Sequence, residues 1–143
     1  MAEFFLDYRR TALAPTELIV SLLVPPLRPR EHIEAYKQAR RREDDVAIVN
    51  ACMRVKLSES DPATVEEVYL AYGGVNKKVI RAESTEKALV GLVWGPAVLD
   101  AAMAALPGDI PLPCDAPGGG LSVSMVLLSL TCFGTHILLY TYI

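Results

Sequence analysis

The stretch from Ala35 to Val55, AYKQARRREDDVAIVNACMRV, constrains the fold of this chain more than any other. A short segment with one lysine, Ala35-Tyr36-Lys37-Gln38-Ala39, leads into consecutive charges, Arg40-Arg41-Arg42-Glu43-Asp44-Asp45. An apolar run from Val46 to Val55 follows, interrupted only by Asn50 and Arg54. A charge block clamped between two strand-like segments reads as an exposed turn tethered to a core. Its arginines and acids balance, so the block is a dipole and not a basic patch. Continued to Leu57, the alternate residues Val49, Ala51, Met53, Val55 and Leu57 make one apolar face. That period of two predicts a strand with one side buried.

The same reasoning places the other elements. Leu18 to Val24, LIVSLLV, is bounded by Pro15 and by Pro25-Pro26 and reads as a buried strand. Glu17–Val24, Glu34–Arg40, Val46–Leu57 and Glu66–Tyr72 are predicted to share one antiparallel sheet. In the last of these, Val68, Leu70 and Tyr72 point one way. Gly73-Gly74 ends it, and Val79-Ile80 is a candidate short return strand. The period then changes. Ser84 or Thr85 can N-cap a helix to about Val93. Gly95-Pro96 breaks that helix, and Pro96 suits the first position of a second one over 96–106. There Leu99, Ala102, Met103 and Leu106 recur at helical spacing, and Pro107-Gly108 provides a stop. Strands first and helices after predict an α+β fold: an antiparallel sheet of three to four strands covered on one face by helices.

Composition bounds the function. The 143 residues fit one domain, or a small domain with appendages. A net charge of −3 argues against a general nucleic-acid binder. Cys52, Cys114 and Cys132 have no C-x-x-C spacing, which suggests reduced thiols in a cytoplasmic setting and no zinc or iron–sulfur site here. Arg9 and Arg10 interrupt any secretory-signal core at the start. His32 and His136 are isolated, and no G-x-G-x-x-G phosphate cradle occurs. Cys52 and Met53 read as core. From Leu121 to Ile143 there is no Lys, Arg, Asp or Glu, over a length that meets the roughly 20 residues of a membrane-spanning helix. Its serines, threonines and His136 weaken that reading, and no Lys or Arg flank orients it. A tail foreign to the domain, a membrane anchor and a buried helix all stay open.

Three segments carry a resemblance. AYKQARRREDDVAIVNACMRV resembles the lysine-containing strand and charged loop of the molybdenum hydroxylases of xanthine dehydrogenase type. Glu3-Phe4-Phe5-Leu6-Asp7-Tyr8-Arg9-Arg10-Thr11 is similar to that family's FF-x-x-YR-K/R-T motif. Leu112-Pro113-Cys114-Asp115-Ala116-Pro117-Gly118-Gly119 is similar to its PPDAPGG exit. The likeness covers roughly residues 3–120, and the tail departs from it. It implies the end of an FAD-binding domain over 1–33, a CO dehydrogenase flavoprotein C-terminal-like domain over 34–120, and a tail of 121–143 outside the pattern.

The resemblance also implies a function. The chain is expected to be part of the FAD module of an oxidoreductase that hydroxylates a purine. Electrons would pass through iron–sulfur clusters to FAD and on to NAD, with molybdopterin elsewhere in a homodimeric parent enzyme. No catalytic residue is expected in this segment. Lys37 matches the family's flavin-contacting lysine, and Ile19 matches an aliphatic residue against FAD. Arg41, Arg42, Asp44 and Asp45 match a charged loop beside the flavin, on the side where NAD approaches. Without the family, Lys37 is a solvated surface residue, Ile19 is plain core and the loop is an exposed turn. Aldehyde oxidase is the alternative within the family. A non-catalytic truncated product, or a small membrane-anchored protein, is the alternative outside it.

Overall fold

A computed structural model describes residues 4–41, 43–60 and 62–110. Arg42, the Pro/Gly-rich exit and the apolar tail 121–143 lie outside the described residues. Two short strands, β1 (Phe5–Asp7) and β2 (Arg10–Thr11), form a hairpin. Then come β3 (Glu31–Gln38), β4 (Val49–Leu57), β5 (Val65–Gly73) and β6 (Ile80–Arg81), followed by helices α1 (Glu83–Leu89) and α2 (Pro96–Asp109). The four longer-range strands make one antiparallel sheet in the order β3-β4-β5-β6.

Alternation decides which face is buried. All five inward residues of β4, Val49 through Leu57, are buried, and Met53 and Val55 are 0% exposed. Val68, Leu70 and Tyr72 of β5 join them. A register shift between Lys56 and Leu57 adds Val65 to the same side. Against this face pack Leu89 of α1 and Val98, Ala102 and Leu106 of α2. The α2 stripe runs at i, i+4 spacing, so the helix presents one seam to the sheet. Leu99 and Met103 sit at its edge, partly buried. The predicted α+β layer is the one observed.

Several expectations need correction. Leu18–Val24 is in no strand, and its apolar side chains are exposed, Leu23 at 95%. An apolar run reports a wish for burial, not the presence of a partner. The helices fill the buried face of the sheet, and the run pairs with none of the described strands. Helix α1 is not capped by its own Ser84 or Thr85. Instead Asp109, the last residue of α2, accepts hydrogen bonds from Ser84 N–H at 3.2 Å, Thr85 N–H at 2.7 Å and the Thr85 hydroxyl at 2.7 Å. Pro107 does not stop α2, which continues to Asp109. A proline so near the end disturbs few intrahelical bonds.

The edge of β5 is completed in three ways. Beside residues 71–72 it pairs with β6. At Leu70 the buried Glu86 carboxylate accepts the backbone N–H at 2.8 Å, and Arg81 pairs with Glu86. At its start, Val65 N–H donates to Leu92 C=O at 2.9 Å and Gly91 N–H donates to Val65 C=O at 2.8 Å. A buried carboxylate is tolerable because both its backbone and its charge partners are present.

Candidate functional site

The other face of the sheet carries the predicted site. Glu31, Ile33, Ala35 and Lys37 of β3 lie across from Lys56, Arg54, Cys52 and Asn50 of β4. Next come Glu67, Tyr69, Ala71 and Gly73 of β5. This face divides into a charged half and a small-residue half.

In the charged half, Arg28 donates to Glu31 and to Glu67, and Arg54 bridges the same two carboxylates. The Arg28 backbone N–H, then its guanidinium, and then Arg54 hold the Glu31 carboxyl at about 2. Hydrogen bonding to Arg28 likewise lowers Glu67, and the bonds to Glu67 and then Glu31 raise Arg28. Tyr69 lies between two guanidinium groups, Arg54 at 4.8 Å and Arg81 at 4.7 Å from its ring centroid. This lattice ties β3, β4, β5 and β6 together.

The small-residue half is a hollow of about 390 Å³ lined by Ala35, Lys37, Asn50, Cys52, Ala71 and Val79, among others. Ala35 is opposite Cys52, and Cys52 is opposite Ala71, so three short side chains in a row make a flat floor. Lys37 and Asn50 pair across its edge. Cys52 therefore belongs to this exposed floor and not to the core, where its neighbours Ala51 and Met53 lie. Strand parity separates the two.

The charged loop folds back onto this edge. Ile48 N–H donates to Gln38 C=O at 2.8 Å and closes the loop. Lys37 Nζ donates to Asp45 C=O at 3.2 Å. The Asp45 carboxylate accepts Arg41 N–H at 2.9 Å and Val46 N–H at 2.9 Å, and Arg41 Nε is 3.7 Å from it. Asp44 has φ of 50°, the left-handed conformation that aspartate tolerates better than most residues. The structure thus brings Lys37, Arg41, Asp44 and Asp45 together. Ile19 is 53% exposed on the strandless link before β3 and does not line the hollow. Its plain-core reading fails.

A planar ring fits a flat floor with one ammonium at its rim, so Lys37, Ala35, Cys52 and Ala71 suit one wall of a flavin site. Among the described residues there is no glycine-rich strand–turn–helix loop to hold a pyrophosphate. Nor do these residues contain a cluster able to hold a metal ion. No described helix is long and apolar enough to cross a membrane. Sequence reasoning missed Ala35, Asn50, Cys52 and Ala71. The register of β3, β4 and β5 assembles them, and only the alternation within β4 hinted at it.

Comparison with known proteins identifies the family and the fold. Residues 34–120 match the CO dehydrogenase flavoprotein C-terminal domain. The chain is 47% identical over 126 residues to xanthine dehydrogenase of Dictyostelium discoideum, covering 82% of the chain and 9% of that protein. It is 43% identical to a nicotinate hydroxylase of Emericella nidulans, covering 83% of the chain and again 9% of the relative. Its fold superposes on carbon monoxide dehydrogenase of Hydrogenophaga pseudoflava with a TM-score of 0.76 at 23% identity, covering 90% of this chain and 44% of that one. Quinoline 2-oxidoreductase of Pseudomonas putida 86 gives 0.69 at 22% identity, covering 96% and 45%. This chain therefore belongs to the xanthine dehydrogenase and CO dehydrogenase family of molybdenum hydroxylases, and carries the C-terminal domain of their FAD module.

Proposed function

We propose that this chain forms one wall of the flavin site in a xanthine dehydrogenase-like oxidoreductase. The parent would pass electrons from purine hydroxylation through iron–sulfur clusters and FAD to NAD. The observation that carries the reading is the position of Lys37 beside a floor of small residues, with the loop at 40–45 tied to its ammonium. FAD, when bound, supplies the electron storage that links iron–sulfur centres to NAD. The Lys37 ammonium favours negative charge developing on a ring over the floor. Ala35, Cys52 and Ala71 allow close approach. Arg41 attracts anions to the rim while Asp44 and Asp45 repel them, and Arg42 adds a further positive charge to the same loop sequence, so the loop can set the local field and access for NAD. Ile19, exposed on its link, is free to pack against the cofactor from another side.

Residues 1–33 would complete the preceding FAD-binding domain, with 34–120 as the C-terminal-like domain. The remaining domains of a cytoplasmic, homodimeric parent are the partners. The test uses a longer protein that includes the upstream phosphate-binding half. Lys37→Ala should lower its flavin reduction potential, because it removes a positive charge that favours the reduced form. The scale is a few kcal/mol at most. Potentiometry that finds the potential unchanged would remove the role given to Lys37.

A further inference from the structure

We infer that the free edge of the sheet, strand β3, pairs antiparallel with the same strand of a second copy of this chain, with Ala35 opposite Ala35 on the two-fold axis. The inference does not rest on the flavin reading. In the order β3-β4-β5-β6, β3 has a neighbour on one side only. Hydrogen bonds show which of its backbone groups are committed. Arg30 C=O accepts Leu57 N–H at 3.0 Å and Gln38 C=O accepts Ile48 N–H at 2.8 Å, so the even-numbered residues turn toward β4. The alternation of an antiparallel ladder then turns the N–H and C=O of the odd-numbered residues outward. Glu31 fits this parity, because its N–H donates away from the sheet to Arg28 C=O at 3.1 Å. Among the described residues, none meets the outward groups of Ile33, Ala35 and Lys37.

Exposed edges are normally blunted by shortness, proline, a bulge or a protruding lysine. Strand β3 runs 8 residues in unbroken register with β4 and contains no proline. Its one lysine is drawn into its own loop, with Nζ donating to Asp45 C=O. The residue pattern selects a second copy as the occupant. With Ala35 on the axis, Ile33 of each copy comes opposite Lys37 of the other, so every open edge residue is used. Ile33 is 46% exposed, and the methylene stem of Lys37 can cover it. On the other face Glu34 meets Tyr36 and His32 meets Gln38, so no like charges stand opposed. Moving the axis to Glu34 would set Glu34 against Glu34, which is unfavourable, and would call on the Glu31 N–H that Arg28 already holds. Moving it to Tyr36 would push Ile33 against Ala39, beyond the end of the strand. A two-fold axis perpendicular to the sheet keeps like faces together. The row Ala71-Cys52-Ala35 of one copy therefore continues into Ala35-Cys52-Ala71 of the other, and the second copy's Ile33 joins the Lys37 rim of the hollow.

Sedimentation velocity of the full 143-residue chain, over about a hundredfold range of concentration, tests the pairing. A reversible monomer–dimer equilibrium is expected. Ala35→Pro removes the outward N–H at the axis and leaves the bonds to β4 in place, since proline is tolerated at an edge whose N–H faces solvent. It should weaken the dimer about tenfold or more, the equivalent of the two hydrogen bonds that cross the axis, while the circular dichroism and urea midpoint of the monomer stay near wild type. Cross-linking gives a second readout that does not depend on the proline variant folding. In a chain carrying Cys52→Ser, Cys114→Ser and Cys132→Ser, Ala35→Cys sets two thiols on residues whose Cα atoms lie about 5.5 Å apart, within reach of a disulfide. Mild oxidation should link that variant into a dimer and leave Ile33→Cys unlinked. A monomer at every concentration overturns the proposal. So does a dimer that a folded Ala35→Pro leaves intact, which would place the contact elsewhere, or cross-linking of Ile33→Cys equal to that of Ala35→Cys, which would mark another register or random collision.

Discussion

Replacing Asp109 with alanine tests how the two helices are joined. Asp109 ends α2, where the helix dipole disfavours a carboxylate by about 0.3–1 kcal/mol. Its presence there is explained by α1, whose first turn it caps through Ser84 and Thr85. Although burial pushes the carboxyl up, the bonds from Thr85 and Ser84 outweigh that and leave it below its usual range. Loss of an N-cap typically costs about 1 kcal/mol. Thr85 is 0% exposed, so its N–H and hydroxyl would also lose their partner in a dry setting, which adds about 1–3 kcal/mol. Subtracting the relieved dipole term leaves a net loss of about 2 kcal/mol. For a domain of this size that lowers the melting temperature by roughly 8 °C. Urea and thermal unfolding followed by circular dichroism would measure both. Asp109→Asn keeps an acceptor and should lose about half as much. A double-mutant cycle with Thr85→Val should show coupling of about 1 kcal/mol. Stability within about 0.5 kcal/mol of wild type for Asp109→Ala, or strict additivity in the cycle, would refute the cap.

Three other outcomes are expected. Gly74 has φ of 83°, and a Cβ there would come within 2.2 Å of the Ile48 carbonyl, whereas Gly91 has φ of 85° with open space around it. Gly74→Ala should therefore cost clearly more than the roughly 1 kcal/mol expected for Gly91→Ala; equal urea midpoints would contradict the close approach. Glu31 is depressed from 4.5 to about 2, so its contribution to stability is present above pH 4.5 and is lost as pH falls toward 2. Glu31→Gln should flatten the dependence of the urea midpoint on pH in that window, and an unchanged slope would remove Glu31 as its source. Finally, the chain alone should bind FAD weakly or not at all, since one wall cannot offset the cost of immobilising a large ligand. In the longer protein Ile19→Ala should loosen FAD with little change in potential. Fluorescence quenching on titration reads both, and tight binding by this chain alone would refute the single-wall reading.

What the residues determine by themselves is local and periodic. The alternation from Val49 to Leu57 sets which side of β4 is buried, because a strand has only two faces. The charge block at 40–45 has nowhere to go but a solvent-facing loop. The change of period near Ser84 separates sheet from helices, and the Lys37 segment carries the family pattern. Tertiary structure decided everything that depends on a partner distant in sequence. The LIVSLLV run is as apolar as β4, yet it lies exposed, because apolarity does not specify which edge will receive it. Alternation turns Cys52 outward and Met53 inward, but only strand register sets Ala35 and Ala71 beside Cys52 to make the floor. The cap on α1 comes from Asp109, some 25 residues away, and no reading of Ser84 and Thr85 could reveal it. The hollow likewise exists only after β3, β4 and β5 align. Local preference is written in neighbouring residues; a site is written in the pairing of strands whose register depends on the whole sheet.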